Sequence, residues 1–401
     1  MSSNPHPVRR RRVFYIPGYD PIPPRRYREL YRRESAEQAK ISGYEINVLR
    51  GEDDVLYGWR VSARIESTEA VSDIAVLVWS DIVKRSMDQG IIGTYGQLIR
   101  TAAIYIATGT FFRLMRLRKG PVIAALYPVA TLLAQLVTAL AAAWGLGQIL
   151  ALWHPLAIWA GLGAVPLILL WFRGQDSRFF AYYLMHDYAH SARHLGAYPP
   201  ELETRLGEFA DHIAEAFTPE CDEVLVVGHS SGAHLAVSIL ADLIRAGRVP
   251  EGAAALSLLS LGQVVPMVSF LPRAERLRAD LAYLSARDEL TWIDVTAPGD
   301  GCAFALCDPV SVTGVAPPNK RWPLVISAAF TRTLSPERWK SLRWRFFRLH
   351  FQYLCAFDRP GDYDYFRITA GPMTLAERFA NRAPSKSRIE RATSRYKSLA
   401  S

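Results

Sequence analysis

The apolar positions of this chain fall into runs of three kinds. The longest is a block, 120–172, in which 53 consecutive residues between Lys119 and Arg173 include no Lys, Arg, Asp or Glu. As one helix it would extend about 80 Å against a hydrocarbon layer of about 30 Å, so two passes fit and one does not. The predicted spans are 121–145 and 152–171, with a turn running from Gly145 and Gly147 through Trp153, His154 and Pro155. Trp144, Trp153 and Trp171 fall near span ends, where a bilayer interface favours aromatic rings. A soluble helical hairpin of this length would ordinarily carry charge at its edges. The second kind of run has strand length: 12–16, 44–49, 57–65, 73–79, 223–227, 253–261 and 290–296. The third has helical character: 200–217, 233–246 and 273–287, the last with Leu277, Leu281 and Leu284 on one face.

Charge orients the block. Arg113, Arg116, Arg118 and Lys119 precede it, Arg173 follows it, and the far turn has none. The positive-inside tendency places both flanks on the cytoplasmic side. Upstream, 98–115 is apolar with arginines near its ends and too short for a third span. It reads as an interfacial helix, with a re-entrant segment as the alternative. Residues 1–20 lack the apolar core of a secretory signal. The expectation is an integral membrane protein whose soluble part faces the cytoplasm.

The candidate chemistry lies at Gly228-His229-Ser230-Ser231-Gly232, a Gly-x-Ser-x-Gly between the 223–227 strand and the 233–246 helix. Small residues at 228 and 232 permit a sharp turn, which would hold Ser230 in a strained conformation with its hydroxyl proud of the sheet. The next N–H, on Ser231, sits at a helix N-terminus and is placed to receive a developing oxyanion. This stretch resembles the nucleophile elbow of the α/β-hydrolase superfamily, particularly lipases and esterases with a Gly-His-Ser-x-Gly elbow.

The resemblance implies a mostly parallel sheet with helices on both faces, here interrupted by a two-helix transmembrane insertion. It also implies a triad in the chain order nucleophile, acid, histidine. A serine hydroxyl needs an adjacent base. Of nine histidines only His350 lies beyond His234, so His350 takes the base role that this order requires. Asp300 follows the second strand after the elbow, among Pro and Gly neighbours, where the resemblance expects the acid. Asp308, a turn former before Pro309, and Asp294, inside the strand, are the alternatives. The second oxyanion donor is expected on a loop after an early strand, near Gly18 or Tyr19, which also read as an ordinary Pro-Gly turn. The superfamily usually has two strands before that one. Here 44–49 and 57–65 can fill the missing edge as a hairpin. The implied reaction is cleavage of an ester or thioester of an apolar acyl substrate through an acyl-enzyme, with no cofactor and no catalytic metal.

One constellation points elsewhere. His186, His190 and His194 share a helical face, and the first two resemble an H-E-x-x-H zinc motif with Asp187 in the Glu position. A metal-dependent membrane enzyme on these three histidines is therefore an alternative, as is a catalytically silent hydrolase fold serving as a membrane scaffold. His229 and His234 read as packing residues beside the nucleophile.

Composition is compatible with these readings. Lys and Arg number 47 against 38 acidic residues, a net charge of +9. The basic positions cluster at 9–12, 25–26, 32–33, 343–348 and 382–397. No nucleic-acid motif accompanies them, and an anionic lipid surface accounts for both the charge and the apolar block. Cys221, Cys302, Cys307 and Cys355 show no metal or disulfide spacing, in keeping with a reducing compartment. The expected organisation is 1–90 and 181–380 as the two parts of one α/β domain, 91–180 as the membrane insertion, and 381–401 as a polar, disordered tail.

Overall fold

The computed structural model describes residues 7–51, 55–252 and 254–399. Eight strands form one sheet: β1 (Arg10–Ile16), β2 (Glu45–Arg50), β3 (Gly58–Ile65), β4 (Thr68–Val76), β5 (Glu223–His229), β6 (Ala255–Leu261), β7 (Leu290–Thr296) and β8 (Leu324–Ser327). Their spatial order is β2-β3-β4-β1-β5-β6-β7-β8. From β4 to β8 all neighbours are parallel, whereas β2 and β3 pair antiparallel with each other and β3 pairs antiparallel with β4. The expected hairpin therefore does supply the far edge of the sheet. Ala253, the first residue of the predicted 253–261 strand, lies outside the described residues.

Burial explains the order. Every residue of β5 is buried, as a central parallel strand with both faces covered requires. β3 instead alternates between buried and exposed positions. Along β1, Phe14 and Ile16 join the core on one face with Leu240 and Trp292, while Val13 and Tyr15 join the other with Leu225 and Ile293. A third cluster, including Leu98, Leu114, Val122, Met185 and Phe304, lies where the inserted helices meet the sheet's carboxyl-end loops.

The insertion departs from expectation in detail. Residues 98–115 are not one helix. Ile91–Ala107 and Thr110–Leu117 are separate helices that meet at Gly109, which has φ +70°. The first apolar helix, Lys119–Ala151, runs straight through Gly145 and Gly147, so the turn shrinks to 152–154. The glycines serve contact rather than turning. A Cβ on Gly147 or Gly161 would collide with the backbone or side chains of the facing segment, so small residues bring the two arms together. The return arm begins as the 3-10 helix Pro155–Gly163 and continues as Ala164–Gly174. Both arms are long and apolar enough to cross a membrane, and only 28% and 11% of their apolar windows are buried.

The tail is also not as expected. Residues 381–399 are irregular but bonded to the domain. Ile389 pairs with the 306–308 backbone in both directions, at 2.7 and 2.9 Å, and Thr393 N–H donates to Val312 O at 2.9 Å. The buried Arg278 guanidinium donates to Ser398 O at 2.7 Å, as well as to Ser269 O, Leu271 O and Pro272 O. A Ser- and Arg-rich composition hides this attachment, because it is made of backbone and guanidinium hydrogen bonds rather than apolar burial.

Candidate active site

Ser230 is the first residue of the two-residue turn, Ser230-Ser231, between β5 and the helix Gly232–Arg245, with φ +58°. That left-handed conformation is costly for a residue with a Cβ, by roughly 1–3 kcal/mol. The surroundings enforce it. Ser230 N–H donates to Leu261 O at the end of β6, at 2.9 Å, and Ser230 O accepts from Ala233 N–H. A Cβ on Gly232 would collide with Ile16 O, so only glycine lets the helix start this close to β1.

The β1 loop closes on the serine from the other side. A Cβ on Gly18 would lie 2.9 Å from Ser230 Cβ and 3.3 Å from Ser230 Oγ. The loop's carbonyls are held elsewhere: Trp79 Nε1–H donates to Pro17 O at 2.9 Å, and Tyr183 OH donates to Tyr19 O. Tyr19 OH is 2.5 Å from Ser86 Oγ. Among the described residues, the N–H groups of Gly18, Tyr19 and Ser231 have no hydrogen-bond acceptor. Of these, Gly18 packs against the Ser230 side chain and Ser231 follows it in the chain.

Asp300 and His350 come together although 50 residues separate them. His350 Nδ1–H donates to Asp300 Oδ2 at 2.7 Å. Tyr353 OH donates to the same oxygen at 3.0 Å and itself accepts from Ala297 N–H. Cys302 N–H donates to Asp300 Oδ1 at 2.9 Å. Burial pushes the Asp300 carboxyl up, but the His350 charge and these hydrogen bonds outweigh it and hold the group below its usual range. His350 Nε2 is buried and has no hydrogen-bond partner among the described residues. Its ring lies over Gly262, where a Cβ would be 3.0 Å from His350 Cε1. Gly262 follows Leu261, the residue that bonds Ser230, so serine and imidazole flank the same strand end. Ser230 Oγ and His350 Nε2 are not hydrogen-bonded to each other.

Of the weighed acids, only Asp300 reaches the histidine. Asp308 caps a short helix through Val310 N–H and Ser311 N–H and pairs with Lys320 at 2.6 Å. Asp294 accepts from Ser260 Oγ at 2.6 Å, and burial pushes its carboxyl up to about 8.

His186, His190 and His194 do not form a ligand set. His186 Nδ1 bonds Gln97 Oε1 at 2.7 Å, and the His190 ring packs 5.5 Å from Tyr19 and 6.1 Å from Trp79. Among the described residues, the three donors close enough to share an ion are instead Asp300, Cys302 and His350. Two ligands of a tetrahedral zinc ion sit about 3.3 Å apart, given bonds near 2.0 Å. The 2.7 Å between Asp300 and His350 matches a shared proton instead.

Sequence spacing missed several contributors. His229 does more than pack: its Nε2–H donates to His350 O at 3.0 Å and its ring lies 4.8 Å from the His350 ring. Tyr353 had no motif to mark it. Asp187, read only as part of a zinc-like motif, lies near enough to His350 to feel its charge. Burial pushes this carboxyl up to about 7, with His350 pulling it partly back.

Burial pushes His229 and His234 down to about 3. Both folded values lie below the unfolded value near 6.5, so below pH 6.5 the unfolded chain binds more protons than the folded one. Stability should therefore fall as pH drops from 6.5 toward 3, by about 1.4 kcal/mol per pH unit per histidine. Thermal unfolding across that range should show the slope. His234→Gln should make it shallower, and an unchanged slope would show that His234 is not the source.

No family model matches this sequence, and no curated protein or solved structure is significantly similar to it.

Proposed function

We propose that this protein is a membrane-tethered serine hydrolase of the α/β-hydrolase type, acting on an ester or thioester of an apolar acyl substrate. One observation carries the reading: Ser230 is held at φ +58° at a strand–helix turn, beside a β6 end that also bears the ring of an Asp300-bound histidine.

In this mechanism Ser230 Oγ attacks the acyl carbonyl carbon and its proton passes to His350 Nε2. The carbonyl oxygen becomes an oxyanion received by Ser231 N–H and by Gly18 or Tyr19 N–H. Collapse of the tetrahedral intermediate breaks the bond to the alcohol or thiol, which leaves with the proton from His350. Water then attacks the acyl-enzyme by the same route, releasing the acid and restoring Ser230. Asp300 keeps the imidazole in the Nδ1–H tautomer and stabilises its protonated form. The apolar arms 119–151 and 155–174 cross the bilayer, with basic flanks facing the cytoplasm and the substrate drawn from the membrane.

Fluorophosphonate labelling of the detergent-solubilised protein tests this. Wild type should label, Ser230→Ala and His350→Ala should not, and Asp300→Asn should label far more slowly. A well-folded wild type that does not label would reject the mechanism and favour a silent scaffold.

A further inference from the structure

We propose that residues 343–348, Arg-Trp-Arg-Phe-Phe-Arg, form an interfacial anchor that seats in the headgroup layer of an anionic phospholipid leaflet beside the catalytic site. The inference rests on the bilayer-crossing hairpin of the proposed function.

The segment is built to meet something. Trp344 is 73% and Phe346 46% exposed, and Arg343, Arg345 and Arg348 are exposed among them. The Arg343 guanidinium lies over the Trp344 ring at 5.6 Å. Leu342 and Leu349 at the two ends are buried, so the exposed residues sit on a turn, 343–345, and the start of the short helix Phe346–His350, both rooted in the core. Exposed tryptophan and phenylalanine interleaved with arginine is the composition that interfaces favour, rings at the headgroup level and cations on phosphates.

Its position names the partner. A Cβ on Gly301 would lie 3.2 Å from the Phe346 ring, and a Cβ on Gly120 would lie 3.3 Å from Gly301 Cα. Phe346 and the first turn of the long apolar helix thus share one surface. At the other arm, the Phe347 ring lies 4.9 Å from Phe180, which closely follows the end of the Ala164–Gly174 helix. The segment therefore lies at the base of the hairpin, between its two ends. Exposed Arg116, Lys119, Arg173 and Arg178 flank the same ends in sequence. With the arms in hydrocarbon this base falls at the headgroups, where a cationic and aromatic segment matches anionic lipid. The bonded pair Asp300 and His350 adjoins the segment, His350 two residues beyond Arg348 and Asp300 next to Gly301, so the site would open onto the leaflet and receive its ester laterally from it.

Depth quenching tests the anchor without using activity. The full-length protein is reconstituted in phosphatidylcholine vesicles with and without phosphatidylglycerol, and an environment-sensitive fluorophore is placed at Trp344→Cys. Val137→Cys, on the exposed side of the first apolar helix, and Glu220→Cys, exposed at the opposite end of the sheet, serve as references after subtraction of labelled parent protein. Headgroup nitroxides should quench the 344 probe, more so with phosphatidylglycerol present, and leave the 220 probe unaffected. Acyl-chain nitroxides should quench the 137 probe. In an Arg343→Gln/Arg345→Gln background, a probe at Phe346→Cys should lose its preference for anionic vesicles, by roughly five-fold per arginine. Quenching at 137 with the 344 probe behaving like the 220 probe would overturn this inference alone. No quenching at 137 would overturn the membrane reading and the anchor with it. Loss of fluorophosphonate labelling with quenching intact would touch only the hydrolase reading.

Discussion

Ser230→Ala is expected to lower kcat by roughly four to six orders of magnitude on any ester the protein turns over. In the proposed mechanism the alanine leaves the oxyanion donors and the Asp300–His350 pair in place but removes the atom that bonds the acyl carbon. His350→Ala should cost a similar factor, because without a base the hydroxyl is a weak nucleophile. The double variant should be no worse than either single one, since serine and imidazole act as a unit. Turnover by Ser230→Ala within ten-fold of wild type would place the chemistry elsewhere. Stability provides a second readout. At φ +58° a glycine relieves a conformation that serine tolerates only because Leu261, Ala233 and Gly232 enforce it. Ser230→Gly should therefore be inactive and yet more stable by about 1 kcal/mol in denaturant unfolding. Inactivity with lowered stability would mean that the serine side chain holds the turn together, contrary to a strained nucleophile.

The largest effect on stability is expected at the opposite end of the sheet. Arg11 Nε donates to Glu223 Oε2 at 2.6 Å, and both side chains are fully buried. The two residues are direct partners across β1 and β5. Glu223 Oε1 also accepts from Ser257 Oγ at 2.6 Å and Leu375 N–H at 2.7 Å, while Arg11 donates to Gly371 O and Met373 O. The pair thus ties the start of three strands to the 371–375 segment. Glu223→Gln leaves an uncompensated guanidinium in the interior and should destabilise by about 3–5 kcal/mol. Arg11→Met should do the same by stranding the carboxylate. The combined Arg11→Met/Glu223→Leu chain should recover much of the loss, because desolvation of both charges disappears together. Unfolding midpoints of the three variants decide it: a Glu223→Gln loss below 1 kcal/mol would mean that water or a rearranged partner reaches the site.

Most strands were legible because their cause is local. The apolar run at 224–227 and the largely apolar 290–296 run coincide with strands inside the sheet, where both faces are buried and apolar residues dominate the signal. The strand–turn–helix around Ser230 was legible for the same reason, since its glycines, serine, strand and helix are contiguous. The apolar block was legible as two arms, but its turn was misplaced. Gly145 and Gly147 carry the composition of a turn, whereas their use, backbone contact with the facing arm, exists only once both arms are packed. The tail was misread as disordered because Arg278 and Val312, its main attachment points, lie far away along the chain.

By itself, then, the sequence determined the contiguous features: two uncharged arms, the parallel-strand runs, and a serine at a glycine-flanked turn. Each follows from residue size, polarity and spacing within a few turns of chain. Only the tertiary structure decided which of three aspartates meets His350, and that His229 and Tyr353 hold that pair in place. It alone brought Gly18 against Ser230 and put an aromatic, basic segment at the base of the hairpin. Those outcomes depend on Å-scale distances between segments tens to hundreds of residues apart. Such distances are fixed by how the sheet and its cores pack, and no local pattern records them.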